Sequence, residues 1–324
     1  MTPEERASSK TLVYQCLPSR YGFNPDDMRQ ADAIEIVLGQ GAKPGGGGML
    51  LGLKVSPRVA KMRTLPEGID QRSACRHPDW VGPDDLTIKI NELREITDWQ
   101  IPIYVKLGAT RVTDDVKLAV KAGADVIVLD GMQGGTAATQ QVFIEHAGIP
   151  TLPALRQAIE ALDEMNVLGE VQLIISGGIR TGADVAKALA MGADAVSIGQ
   201  AVLMALGCNS EFYFDGQQTI NVEEEYRKLG TAPGYCHHCE TGLCPVGVTT
   251  QLPDLEKRLQ PDWGERRLRN YLQTLNMELT TLARACGKSN VHHLEREDLV
   301  ALTVESAAMA KVPLAGTDWI PGSG

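Results

Sequence analysis

Two stretches, KAGADVIV at Lys121–Val128 and LAMGADAVSI at Leu189–Ile198, decide the fold. Each closes a helical pattern on a glycine, Gly123 or Gly192, and opens a β-branched run within three residues. A glycine there supplies the left-handed residue that stops a helix, and the short hop to an apolar strand is the joint of a βα unit. Working outward, the same alternation fills residues 30–206. Candidate strands lie at Ala33–Leu38, Ile101–Leu107, Asp125–Asp130, a short one near Ile149–Leu152, Val171–Ser176 and Asp194–Ile198. Each is nearly all apolar, as strands covered on both faces require. Candidate helices are Pro83–Thr97, Thr113–Ala122, Thr136–His146, Leu152–Met165 and Gly182–Met191, several opened by Thr or Asp near the cap position.

The fold class is therefore α/β, and the repeated joints favour a (β/α)8 TIM barrel over a doubly wound sheet. No GxGxxG follows an early strand, so the usual dinucleotide variant has no support. A complete barrel needs eight strands in roughly 250 residues. Six strands are found before Leu206, so the barrel is expected to lack its first two.

Three regions follow. Residues 1–206 form the partial barrel. Residues 207–260 are polar, loop-rich and carry cysteines. Residues 261–324 form a helical extension, in which Leu268, Tyr271, Leu272, Leu275, Leu279 and Leu282 recur at helical spacing over Asp262–Cys286. A second helix is expected from Glu295 to Ala310, followed by an irregular tail rich in Pro and Gly.

Across 324 residues, 31 basic side chains face 41 acidic ones, a formal charge of -10 that gives no footprint for nucleic acid or an anionic membrane. No apolar run approaches the ~18 residues of a membrane span, and MTPEERASSK is too charged for a signal peptide. A cytoplasmic protein is expected.

Four motifs, and one further glycine-rich strand end, could carry chemistry. GQGAKPGGGG, Gly39–Gly48, follows an apolar strand directly; its glycines let a ligand approach backbone amides, and Gln40 and Lys43 are placed to bind an anion or carbonyl. In YVKLG, Lys106 interrupts an apolar strand at its C-terminal end, where a buried ammonium needs a partner or a bound anionic group such as a reduced flavin ring. ISGGIRTG (Ile175–Gly182) and SIGQA (Ser197–Ala201) are late glycine turns, the kind that make a phosphate site from backbone amides and a helix start. DGMQGGTAATQ, Asp130–Gln140, is another glycine-rich strand end, from which Gln133 or Asp130 could face a ligand.

The fourth motif is C-H-H-C-E-T-G-L-C-P. Cys236, Cys239 and Cys244, followed by Pro245, suit iron–sulfur ligation as a [3Fe-4S] cluster, or a [4Fe-4S] cluster with a non-cysteine fourth ligand. Zinc is the alternative, with His237 or His238 completing a Cys3His set. Cys208 could join only if the chain folds back across 27 intervening residues. Cys16, Cys75 and Cys286 read as ordinary buried thiols.

Together, LGQGAKPGGGG, YVKLG, DGMQGGTA, SGGIRTGADVAKALAMGADAVSIG and CETGLCPVGVTTQ resemble the FMN-binding domain of the glutamate synthase family, in the same chain order. The C-terminal stretch resembles the stand-alone FMN subunit of the N-methylglutamate synthase type. The resemblance implies a (β/α)8 barrel with the FMN phosphate on Gly177, Gly178, Gly199 and Gln200, and Lys106 facing the flavin. It implies 2-oxoglutarate contacts at Gln40, Lys43 and Arg63, and a cluster that relays electrons to FMN. Reduced FMN then gives hydride to 2-iminoglutarate, formed from 2-oxoglutarate and ammonia released by a glutaminase. A glutamine amidotransferase-type partner, a ferredoxin-like or other electron donor, and an oligomer are implied as well.

Four departures stand out. Met49 and Gly46 replace a family glutamine and glutamate, Gln200 replaces a Ser or Thr at the phosphate turn, and a long insert separates Cys208 from Cys236. The family's first two strands would precede Met1. Two readings follow: an enzyme subunit making glutamate, or N-methylglutamate where methylamine replaces ammonia; and a truncated, non-catalytic assembly subunit.

Overall fold

The computed structural model describes residues 1–135 and 140–322. Its centre is a parallel sheet of β1 (Val13–Cys16), β2 (Ala33–Val37), β3 (Ile103–Gly108), β4 (Val126–Asp130), β5 (Gln172–Ser176) and β6 (Ala195–Ser197). The six lie side by side in chain order, all neighbours parallel, and the sheet curls into a half barrel. Helices α1 (Pro83–Ile96), α2 (Val112–Ala122) and α3 (Thr151–Glu164) cover one face, where Ile90, Val116 and Leu155 pack against Ile34, Ile36, Ile103 and Val105.

The repeated joint explains the register. Gly123 and Gly192 take positive φ, +103° and +105°, and end their helices. Two residues on, Asp125 Oδ2 accepts from the Ile103 amide and Asp194 Oδ2 from the Leu173 amide, both at 2.7 Å. Each aspartate thus satisfies an amide at the start of the neighbouring strand while its own strand begins. Asp32, just before β2, does the same for Leu12 at 2.7 Å.

The strand count agrees with expectation, but its membership does not. β1 takes the sixth place, and Ile149–Leu152 is no strand. The Ile149 amide donates to Ala109 O at 2.8 Å and its carbonyl accepts from Met132 at 2.9 Å, after which Thr151 already opens α3. Of the expected Thr136–His146 helix, residues 136–139 lie outside the described residues and Gln141–His146 is helical.

The 207–260 region holds a hairpin, Phe212–Phe214 with Thr219–Asn221, and a helix, Glu223–Lys228. Helix α4 (Gly182–Ala190) packs against α5 (Pro261–Ala285) so closely that a Cβ at Gly182 would lie 2.4 Å from the Leu275 carbonyl oxygen. The expected helix at Glu295–Ala310 survives only as Val304–Ala310. Ahead of it Ala301 forms a bridge with Leu314, its amide donating to Pro313 O at 2.9 Å, which a helix could not allow. Among the described residues no helix is long and apolar enough to cross a membrane.

Candidate functional site

Alternation along β3 turns Ile103, Val105 and Leu107 into the helix-covered core and leaves Tyr104, Lys106 and Gly108 on the opposite face. Glu35 and Asp130 are buried polar residues on the flanking strands. Gln15 Nε2 donates to Glu35 Oε1 at 2.6 Å, and burial holds the Glu35 carboxyl above its ordinary range despite the pull of Lys106. Lys106 Nζ stands 3.4 Å from Asp130 Oδ2, while Asp130 Oδ1 is buried without a hydrogen-bond partner among the described residues. Of the two fates open to a strand-end lysine, this one is paired within the protein.

The glycine loop packs directly on that pair. At Gly41, with φ +55°, a Cβ would fall 1.9 Å from Asp130 Oδ2 and 3.3 Å from Lys106 Cε. Gln40 and Lys43 face each other across an antiparallel bridge in the same loop. Lys43 is fully buried, and burial lowers its ammonium to about 8. Lys43 and Lys106 therefore belong to one end of the sheet, joined by the loop.

Beside this centre the expected cofactor residues Gln133, Gly177, Gly178, Gly199 and Gln200 line one cleft of about 550 Å³. Gln133 Oε1 is held by the Thr151 amide at 2.9 Å and hydroxyl at 2.8 Å. A Cβ at Gly199 would meet nothing within 4 Å, so the cleft is open there. The start of α4 differs from expectation: the Gly182 amide donates to Glu278 Oε2 at 2.8 Å, and those of Arg180 and Thr181 to Asp184 Oδ2 at 3.0 Å. Carboxylates already occupy that helix start, which leaves the glycine turns as the place for an anion.

A second cleft, of about 400 Å³, brings together Gln40 and Arg63 with Met49, Lys54 and Ser73. Gln40 Oε1 is buried there without a hydrogen-bond partner among the described residues, and the Arg63 guanidinium lies over the Tyr21 ring at 5.3 Å. Lys54 was not singled out in the sequence, where it is a lone lysine after the loop. Its ammonium donates to Cys239 O at 2.8 Å and Thr249 Oγ1 at 3.1 Å, so it ties this cleft to the cysteine motif.

The third feature is a cavity lined by Cys208, Cys236, Cys239 and Cys244. The chain does fold back: the Cys236 amide donates to Asn209 Oδ1 at 2.7 Å, and Asn209 Nδ2 donates to Cys236 O at 3.3 Å. Burial pushes the Cys208 thiol up to about 11, with Cys239 and Cys244 adding to the shift. Gln200, expected at a phosphate, has its Nε2 3.7 Å from Cys208 Sγ. Among the described residues no three of His, Cys, Asp or Glu are close enough to hold a single metal ion. Cys239 lines both this cavity and the 550 Å³ cleft. Cys16 is buried as expected, whereas Cys75 and Cys286 are exposed.

A family model described as a conserved region in glutamate synthase matches residues 1–212 and 231–289. The glutamate synthase large subunit-like protein of Rhizobium meliloti is 64% identical across the whole chain, which covers 71% of it. The archaeal glutamate synthase (NADPH) of Methanocaldococcus jannaschii is 37% identical over 87% of the chain and 51% of its own length. That of Archaeoglobus fulgidus is 34% identical over 97% and 57%. The chain thus spans little more than half of these archaeal relatives. Among solved structures, a flavocytochrome b2 variant with pyruvate bound shares the fold at TM-score 0.52 and 18% identity, over 99% of this chain and 62% of that one. The family match over most of the sequence, and the 64% identity along all of it, show that this chain belongs to the glutamate synthase family.

Proposed function

We propose that the chain is the FMN-dependent subunit of a glutamate-synthase-type oxidoreductase, forming glutamate from 2-oxoglutarate with ammonia or amine supplied by partner chains. The observation that carries this reading is the meeting of three features at one sheet end: a glycine-lined cleft, a cleft with two cations, and the half-buried Lys106–Asp130 pair. FMN fits the first, because Gly199 leaves open space there and the turns at Gly177, Gly178 and Gly199 present a backbone for its phosphate. Bound there, FMN supplies a hydride, which with one proton converts 2-iminoglutarate to glutamate.

The chain's own groups have distinct parts. Lys106, oriented by Asp130, is the cation available to a ring carrying negative charge. Arg63 and Lys54 supply positive charge for a dicarboxylate, and Arg63 offers it as a planar fork. Gln40, whose Oε1 lacks a partner, orients the reacting carbon by accepting from an N–H of the imine. Lys43, fully buried in the same loop, adds charge behind that surface. An iron–sulfur cluster at Cys236, Cys239 and Cys244 would pass electrons from a ferredoxin-like donor, and Cys239 on the cleft wall supports a short path. A glutamine amidotransferase-type subunit would release the ammonia.

Met49 favours a second reading. It lines the cleft of Gln40 and Arg63 where the resemblance expects an amide, and its apolar side chain would accept an N-methyl group. The purified holoprotein should carry FMN and, with a chemical reductant, convert 2-oxoglutarate and ammonia to glutamate. Preferential formation of N-methylglutamate from methylamine would select the second reading. A protein that takes up no FMN would overturn both and leave the non-catalytic assembly role.

A further inference from the structure

We propose that Glu35 takes up a proton each time the flavin beside Lys106 is reduced, so that every two electrons bring one proton to the sheet beyond the one that the ring binds. This rests on the FMN reading above and adds a positioning residue to it, one that acts on the ring through Lys106.

The strand register stacks the charges in rows. Ile34 and Ile36 of β2 belong to the helix-covered core, as do Ile103 and Val105 of β3, so Glu35, Tyr104 and Lys106 share the other face. Glu35 lies in one row with Gln15 of β1 and Tyr104 of β3. Lys106 stands one row nearer the strand ends, opposite Val37 and Val128, and Asp130 a row further, opposite Gly108. One ammonium is thus set between two buried carboxylates, 3.4 Å from that of Asp130. With both carboxylates ionised the group carries one negative charge in excess, and a proton on Glu35 removes it.

Gln15 suits both states of Glu35. Its Nε2 donates to Glu35 Oε1 at 2.6 Å, and the amide turned over presents an oxygen that accepts from a protonated carboxyl. Burial lifts the Glu35 carboxyl and Asp130 adds to the lift, while Lys106 and then Gln15 pull it down. Tyr104, raised by burial and by Glu35, keeps its phenolic proton. Two electrons and one proton turn FMN into a reduced ring with one negative charge, which competes for the Lys106 ammonium. The attraction that keeps Glu35 ionised is then shared, its carboxyl rises further, and a solvent proton binds it. The balance is two electrons from the ferredoxin-like donor, one proton to the ring and one to Glu35. When the hydride leaves for 2-iminoglutarate, Glu35 releases its proton.

The test uses the full chain loaded with FMN and follows the midpoint potential of the bound flavin across neutral pH, in wild type and in the near-isosteric Glu35→Gln. Each proton bound with two electrons is a tenfold change in the equilibrium per pH unit, about 30 mV. Wild type should therefore fall by about 60 mV per pH unit, and Glu35→Gln by about 30 mV. The infrared difference between reduced and oxidised wild type should show a newly protonated carboxyl, absent from Glu35→Gln. Should that variant fail to fold, the wild-type band decides, and Gln15→Leu should shift it because the amide touches Glu35. Equal slopes in wild type and Glu35→Gln, or a reduced wild type with no new carboxyl band, would overturn the proposal and leave FMN binding intact. A wild type that takes up no FMN would remove both.

Discussion

Lys106 and Asp130 form an ion pair across neighbouring strands, Nζ to Oδ2 at 3.4 Å, and the glycine loop rests on them through Gly41. The pair is anchored at the strand ends, where Gly108 faces Asp130 in the β3–β4 register. Removing one partner leaves a buried charge uncompensated, which costs more than the pair itself contributes. Because Lys106 keeps some exposure, Lys106→Met is expected to lower the unfolding free energy by about 2 kcal/mol. Adding Asp130→Asn should recover much of that loss in urea unfolding. A double variant no more stable than Lys106→Met would show that pairing is not what holds this corner.

Gly41 and Gly45 separate two costs of a side chain in the loop. Both have positive φ, so alanine at either is strained by about 1–2 kcal/mol. At Gly45 the new Cβ meets nothing within 4 Å, whereas at Gly41 it would collide with the Asp130 carboxylate. Gly41→Ala should therefore destabilise by about 3 kcal/mol, adding overpacking to strain, and should lower FMN affinity. Gly45→Ala should show the strain alone. Equal melting temperatures for the two variants would contradict the packing of the loop on the Lys106–Asp130 pair.

The fold was legible where its causes are local. Gly123 and Gly192 stop helices and an aspartate two residues on serves the neighbouring strand, so the joint can be read from eight residues. QADAIEIV carries the same device at Asp32, and its partner amide at Leu12 would have pointed to β1. That strand went unread because four edge residues with alternating exposure lack the apolar run of a central strand. The glycine turns were legible as one site because parallel strands in chain order bring their C-terminal ends together. Cys208 and Lys54 were not, since their places depend on hydrogen bonds across 27 and 185 residues, to the Cys236 backbone and the Cys239 carbonyl.

Burial of Lys43 gives a pH dependence whose sign can be worked out. Its ammonium is lowered from 10.5 to about 8. Below pH 8 folded and unfolded chains both carry the proton, and the folded state bears the whole desolvation penalty. Between about 8 and 10.5 the unfolded chain binds more protons, so this lysine makes stability rise with pH across that window. Relative to Lys43→Met, the wild type should gain roughly 1–3 kcal/mol of unfolding free energy between pH 7.5 and 10. Parallel curves for the two proteins would mean that Lys43 titrates at its ordinary value.

Arg63 and Lys54 share a cleft but differ in what else they hold. Arg63 lies over Tyr21, while Lys54 also donates to the Cys239 carbonyl and to Thr249. If both meet a dicarboxylate, each charge-assisted contact is worth about 1.5–3 kcal/mol, so Arg63→Gln or Lys54→Gln should weaken 2-oxoglutarate binding at least tenfold by calorimetry. Their second effects should diverge. Arg63→Gln leaves the cysteine loop untouched and should keep the iron content and midpoint potential of wild type. Lys54→Gln removes a cation and a backbone tether beside Cys239, so it should also shift the potential to a more negative value. A Lys54→Gln protein with weakened binding but an unmoved potential would separate the cleft from the cysteine site, and an Arg63→Gln protein with undiminished binding would place the substrate elsewhere.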